Sequence, residues 1–242
     1  MNNIVLIIGA SSDIGIDLIQ NIEEECLILA HYNSESERLL KLSKASKNKI
    51  VLLKANLLLE ADILAMLNNI ENNFGIPNKI IHLAASKFEN IRFRDMSLNT
   101  FQNDIDISLK SLITILNRFL PQLAKQKRGK VVVMLSSVVL NIPPKNLTHY
   151  TVVKYALLGL VKSLASEYAE KNIQINAISP SMAETKFLDN LNEKVVELSA
   201  YSNPLKRNAI VEDITPAIKL LMSNDSDYIN GINIPITGGS VF

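Results

Sequence analysis

Tyr150 and Lys154 stand four positions apart in the run Tyr150-Thr151-Val152-Val153-Lys154. On a helix, residues at that spacing share a face, so an ammonium can approach a phenol and favour its ionised form. A phenol tuned in this way is a candidate acid or base for moving a proton to or from a carbonyl oxygen. The pair alone is weak evidence, because a tyrosine and a lysine so spaced are more often a surface contact. Its setting is more specific. Ser137 precedes Tyr150 by thirteen positions (150 − 137) and follows an apolar run of strand length at 131–135. The carboxyl ends of strands are where open α/β sheets build ligand crevices.

A second candidate site lies near the N-terminus, where the apolar run 4–8 leads into Gly9-Ala10-Ser11-Ser12-Asp13-Ile14-Gly15. Ile16, Leu18, Ile19 and Ile22 follow at helical spacing. Gly9 permits a tight turn, Gly15 lets strand and helix approach closely, and amides at the helix start can face a pyrophosphate. Two glycines at such a turn also occur with no ligand. Asp13 either repels phosphate or caps the helix by bonding its exposed N–H groups. Beyond the run 27–30 the chain reads His31-Tyr32-Asn33-Ser34. No acid stands where NAD sites often place one for the ribose hydroxyls. Asn33 and Ser34 can bond a 2′-phosphate without repelling it, so NADP(H) is favoured over NAD(H), with Glu35 the opposing feature.

The elements that must position these groups alternate along the chain. Strand-length apolar runs occur at 4–8, 27–30, 50–53, 79–83, 131–135, 173–178 and 232–236, mostly separated by helix-like segments. Near-continuous apolar strands with helical crossovers predict an α/β fold with a doubly wound parallel sheet of about seven strands and helices on both faces. Helices are expected at 62–74, 101–127 with a kink at Pro121, 150–171 and 211–222. The apolar face of 150–171 suits either the core or a second subunit. With no linker or repeat, residues 1–242 read as one domain, and the more polar stretch 182–208 as a substrate lid.

The chain has 242 residues, one cysteine and a formal net charge of +1. One cysteine excludes an intrachain disulfide, the near-neutral charge argues against nucleic-acid binding, and no apolar run is long enough for a membrane span. With no signal peptide evident, a cytoplasmic location is expected. His31, His82 and His149 lack metal-ligand spacing, so no metal is expected. His149 reads as a loop histidine with a structural bond, and Cys26 as a small buried hydrophobe.

These motifs resemble the short-chain dehydrogenase/reductase family, whose glycine motif reads TGxxxGxG. Ile8 replaces its threonine and Asp13 its middle glycine. The resemblance implies a single-domain Rossmann-type fold in which Tyr150 is the general acid in carbonyl reduction. Ser137 would hydrogen-bond the substrate oxygen, and Lys154 would bind the nicotinamide ribose. Ser108 stands where an asparagine commonly anchors a relay water. Cofactor contacts would come from Gly9, Ser11, Ser12, Asp13, Ile14, Gly15, Asn33, Ser34, Asn56, Leu57, Ala84, Ala85, Tyr150, Lys154, Pro180 and Thr185. The family's NNAG segment is His82-Leu83-Ala84-Ala85 here, and the glycine after Pro180 is Ser181. Pro204-Leu205-Lys206-Arg207 and Thr237-Gly238-Gly239 match further landmarks. The closest resemblance is to 3-oxoacyl-acyl-carrier-protein reductase-like members, implying a small or carrier-bound carbonyl substrate and a homotetramer or dimer. Reduction of a sugar or other polar metabolite, and a catalytically silent NADP-binding regulator, are the alternatives.

Overall fold

A computed structural model describes residues 3–241. Seven parallel strands form one sheet: β1 (Ile4–Ile8), β2 (Leu27–Tyr32), β3 (Lys49–Lys54), β4 (Lys79–His82), β5 (Gly129–Met134), β6 (Ile173–Pro180) and β7 (Asn233–Ile236), in the order β3-β2-β1-β4-β5-β6-β7. The order reverses beside β1, which pairs with both β2 and β4. A doubly wound sheet of this kind leaves a crevice at that point, above the carboxyl ends of its strands.

Period-2 alternation divides the core between the two faces. Ile4, Leu6 and Ile8 pack on one side, with α3 (Glu60–Asn73), α5 (Ser111–Gln126) and α6 (Thr148–Tyr168). Val5 and Ile7 pack on the other, with α1 (Asp13–Gln20), α2 (Glu37–Ala45) and α8 (Val211–Met222). Burial on both faces explains why the strands read as continuous apolar runs. Cys26 is buried in the second cluster.

Three expectations need correction. The segment expected as one helix at 101–127 is instead α4 (Leu98–Asp104), a π-helical turn Ile105–Lys110, and α5. The change in winding falls at that turn, while α5 runs unbroken through Pro121. His149 is not in a loop but is the second residue of α6. Two helices were not anticipated, α2 and α7 (Glu193–Ser202), because α2 buries only Leu39 and α7 buries no residue. No helix among the described residues is long and apolar enough to cross a membrane.

Candidate active site

All strands run parallel, so the segments following β1, β4, β5 and β6 emerge on one edge of the sheet. After β1, Gly9 takes a left-handed φ of +81°, and a Cβ there would lie 3.0 Å from the backbone nitrogen of Ala84. At Gly15 a Cβ would fall 2.5 Å from the Ala10 carbonyl oxygen. Turn and helix therefore close only with glycine at these two positions. The Ser12 hydroxyl donates to the Gly9 carbonyl at 2.8 Å and accepts from Gly15 N–H at 3.1 Å, capping α1.

Ser12, not Asp13, is thus the helix cap. The Asp13 carboxylate pairs with Arg38 and accepts from the Lys186 backbone N–H at 2.7 Å. Partial burial works to raise its pKa, but the Lys186 bond and the Arg38 guanidinium hold the carboxyl below its usual range. Its charge is engaged sideways and is not free to repel a phosphate at the helix start. The glycine cradle and the capped α1 N-terminus accordingly fit a dinucleotide pyrophosphate. The Lys186 contact also brings this loop to Thr185, the residue before a short 3₁₀ turn, Lys186–Leu188, that follows β6.

His31 braces the same loop. Its Nε2 lies 3.1 Å from the Ala55 carbonyl, which only accepts, while Nδ1 accepts from Gly9 N–H at 3.1 Å. Burial pushes this neutral imidazole down to about 4. Asn33 and Asn56 meet in a cavity of about 400 Å³, lined also by Leu52, Lys54, Asp62 and Met66. Asn33 and Ser34 are exposed, whereas the Leu57 side chain belongs to the core.

The second group gathers beyond β5. Lys154 is 3% exposed, and its Nζ donates to the Met134 carbonyl at 2.7 Å while lying 5.4 Å from the centre of the Tyr150 ring. Helical spacing therefore does bring the two side chains together. The expected lowering of the phenol does not follow, since burial pushes Tyr150 up to about 12, against an opposing hydrogen bond from Ser136. Lys154 directs its ammonium to Met134 and sits over the ring. Burial lowers Lys154 to about 8, with Asp104 acting against the shift. Ser136 adjoins the phenol and acts to lower its pKa, and Ser137 opens the adjoining 3₁₀ turn, Ser137–Val139, and is half-buried. Ser108 is buried within the π turn.

Phe88 and Phe187 enclose the phenol. Their ring centroids lie 5.7 and 6.3 Å from that of Tyr150 and 5.5 Å from each other. Beside them, His149 Nδ1 is 2.5 Å from Asp104 Oδ2, and the Ser86 hydroxyl donates to Asp104 Oδ1. Sequence reasoning missed Arg38, His31, Phe88, Phe187 and Asp104. Only Arg38 carried a usable signal, as a cation near the end of β2.

A nucleotide-sized cradle after β1 and a lysine-backed phenol after β5, on one edge of a doubly wound sheet, define the class of nicotinamide-dependent oxidoreductases. A family model described as enoyl-(acyl carrier protein) reductase matches residues 9–240. The chain belongs to the short-chain dehydrogenase/reductase family. It is 28% identical over 239 residues to the 3-oxoacyl-[acyl-carrier-protein] reductase FabG of Buchnera aphidicola, covering 98% of this chain and 96% of that protein. A 3-oxoacyl-[acyl-carrier protein] reductase of Brucella melitensis, solved with bound NAD, superposes with a TM-score of 0.87 at 19% identity over 98% of this chain and 90% of that one. A gluconate 5-dehydrogenase of Burkholderia cenocepacia, solved with NADP and tartrate, gives 0.89 at 18% identity over 99% and 96%. At those identities the two structures establish the shared fold.

Proposed function

We propose that this protein is an NADP(H)-preferring carbonyl reductase acting on an acyl substrate of the 3-oxoacyl-carrier type, working in the cytoplasm as a homo-oligomer. The observation that carries the reading is Tyr150 lying beneath the buried Lys154 ammonium and enclosed by Phe88 and Phe187. A phenol held near 12 is fully protonated at neutral pH, as a general acid for reduction must be. Two phenylalanines suit a substrate with an apolar group beside its carbonyl better than a polyol, which favours the acyl reading over the sugar one. The extensive similarity to the Buchnera reductase supports the same choice.

The nicotinamide, when bound, supplies the hydride. The chain's residues do the remainder. Tyr150 donates its proton to the nascent alkoxide oxygen, and the Lys154 charge steadies the phenolate left behind. Ser137, next to Ser136 at the end of β5, hydrogen-bonds the same oxygen. Gly9, Ser11, Ser12, Ile14 and Gly15 form the cradle for the pyrophosphate. Asn33, Ser34, Asn56 and the backbones at Leu57, Ala84 and Ala85 take the adenosine half, while Pro180 and Thr185 take the nicotinamide end. Asp13 engages Arg38, the second residue of α2, and this guanidinium is assigned to a 2′-phosphate. This cation supports NADP(H) beyond the missing acid. Residues 1–242 act as one domain with 182–208 as its lid.

The test is a spectrophotometric panel of 3-oxoacyl thioesters, simple ketones and sugars with both nicotinamides, on the wild type and Tyr150→Phe. Thioester reduction is expected, with a kcat loss of about a thousandfold in the variant and unchanged cofactor affinity. Wild-type rates from Tyr150→Phe would sink the mechanism, and preferential sugar turnover would reverse the substrate assignment.

A further inference from the structure

One buried titratable cluster has no part in the chemistry assigned above. Asp104 ends α4 at 5% exposure, and His149 lies 2% exposed in the first turn of α6. Both carboxylate oxygens are occupied, Oδ1 by the Ser86 hydroxyl and Oδ2 by His149 Nδ1. On the far side of the ring, Nε2 lies 3.2 Å from the Glu89 carbonyl oxygen. A carbonyl only accepts, so Nε2 carries a hydrogen. The Nδ1 to Oδ2 bond then holds a second proton, on nitrogen or on oxygen. Either way the pair is neutral overall, and losing that proton would strand a bare carboxylate in a buried site.

The cluster grips the turn that presents the reacting phenol. Leu147, the residue before α6, supplies no side-chain cap. The Thr151 hydroxyl in the same turn is buried and makes no hydrogen bond among the described residues. His149, adjacent to Tyr150, ties this turn to α4 and to the segment after β4. We propose that Asp104 and His149 are positioning residues for Tyr150, fixing the phenol-bearing turn and directing the carboxylate end of the pair toward Tyr150 and Lys154.

The charged and titratable groups facing Asp104 are His149, Tyr150 and Lys154 from α6 and Glu89 from the segment after β4. With the shared proton on the imidazole, the Asp104 carboxylate opposes ionisation of the phenol and favours the ammonium, in keeping with its effects on Tyr150 and Lys154. Removing its charge frees both groups to lose their protons at lower pH. The inference rests on Tyr150 being the proton donor.

The experiment compares Asp104→Asn, His149→Asn, the double variant and Tyr150→Phe in thioester reduction. NADPH affinity and circular dichroism report folding. Each single variant is expected to lose about tenfold in kcat, with NADPH affinity within about twofold, and the double to be no worse than the poorer single. The alkaline limb of kcat in Asp104→Asn should move down by about one pH unit. Single variants with wild-type kcat and pH profile would overturn the inference, as would activity lost only in step with cofactor affinity under an unchanged profile. A dead Tyr150→Phe beside unaffected Asp104→Asn and His149→Asn removes the positioning role alone, whereas an active Tyr150→Phe removes the functional reading. Nitrogen-15 histidine NMR of the wild type needs no variant to fold. It should find His149 Nε2 carrying its hydrogen in the folded protein, and a bare Nε2 would equally overturn the inference.

Discussion

Acid should destabilise this protein through two histidines beneath the cofactor cradle. His31 and His82 are 2% and 1% exposed. Burial pushes them from 6.5 down to about 4 and about 3, with the Lys154 charge adding to the effect at His82. The unfolded chain binds protons at both sites below about pH 6.5, whereas the folded chain does not until the lower values. Unfolding therefore takes up protons in that window, and stability falls as pH falls. At about pH 5 each site has lost roughly 1.5 of its pK difference, or about 2 kcal/mol, and the two together about 4 kcal/mol. That is a large share of the roughly 5–15 kcal/mol that holds a domain folded. Urea unfolding followed by circular dichroism at about pH 8 and about pH 5 measures the loss directly. His82→Asn should roughly halve the pH dependence while lowering stability at about pH 8 much less. A midpoint unchanged between the two pH values, or a full-sized dependence surviving in His82→Asn, would refute the reasoning.

Two further substitutions probe the cradle. Gly15→Ala sets a methyl 2.5 Å from the Ala10 carbonyl oxygen, so strand and helix must part, at a cost of about 1–3 kcal/mol. Isothermal titration should show NADPH binding weakened by about tenfold or more. Arg38→Ala removes the guanidinium paired with Asp13 and should raise the KM for NADPH about tenfold while leaving that for NADH nearly unchanged.

The sheet was legible because its strands are buried on both faces, leaving unbroken runs of Ile, Leu and Val between longer amphipathic segments. Strand ends differed from expectation by a few residues, as at β5, which begins at Gly129 rather than 131. The winding of 101–127 was not legible, because the apolar stripe continues across the π turn and a periodicity argument cannot register one inserted residue. Strand ends also placed Gly9 and Ser137 beyond the carboxyl ends of β1 and β5. The Asp104–His149 pair was hidden for another reason. Its members lie 45 positions apart, and no local pattern distinguishes a buried aspartate from a solvated one. Phe88 and Phe187 reach Tyr150 from separate segments and were equally out of sight.

The electrostatics of the phenol follow from what surrounds Lys154. A buried ammonium is strongly disfavoured, and burial brings Lys154 down to about 8 against the opposing pull of Asp104, so the ammonium form still prevails at neutral pH. Two groups hold it there: the Met134 carbonyl, through a 2.7 Å bond, and the Asp104 carboxylate, through space. His82 lies beneath the same charge and stays neutral, so it adds no competing cation. The carboxylate that supports the lysine also opposes phenolate at Tyr150. One negative group thus works in two directions, keeping the proton on both Tyr150 and Lys154. Such a bias suits a site whose resting state must hold a proton ready for a carbonyl oxygen, and it works against the alcohol-oxidising direction, in which the phenol must begin as the base.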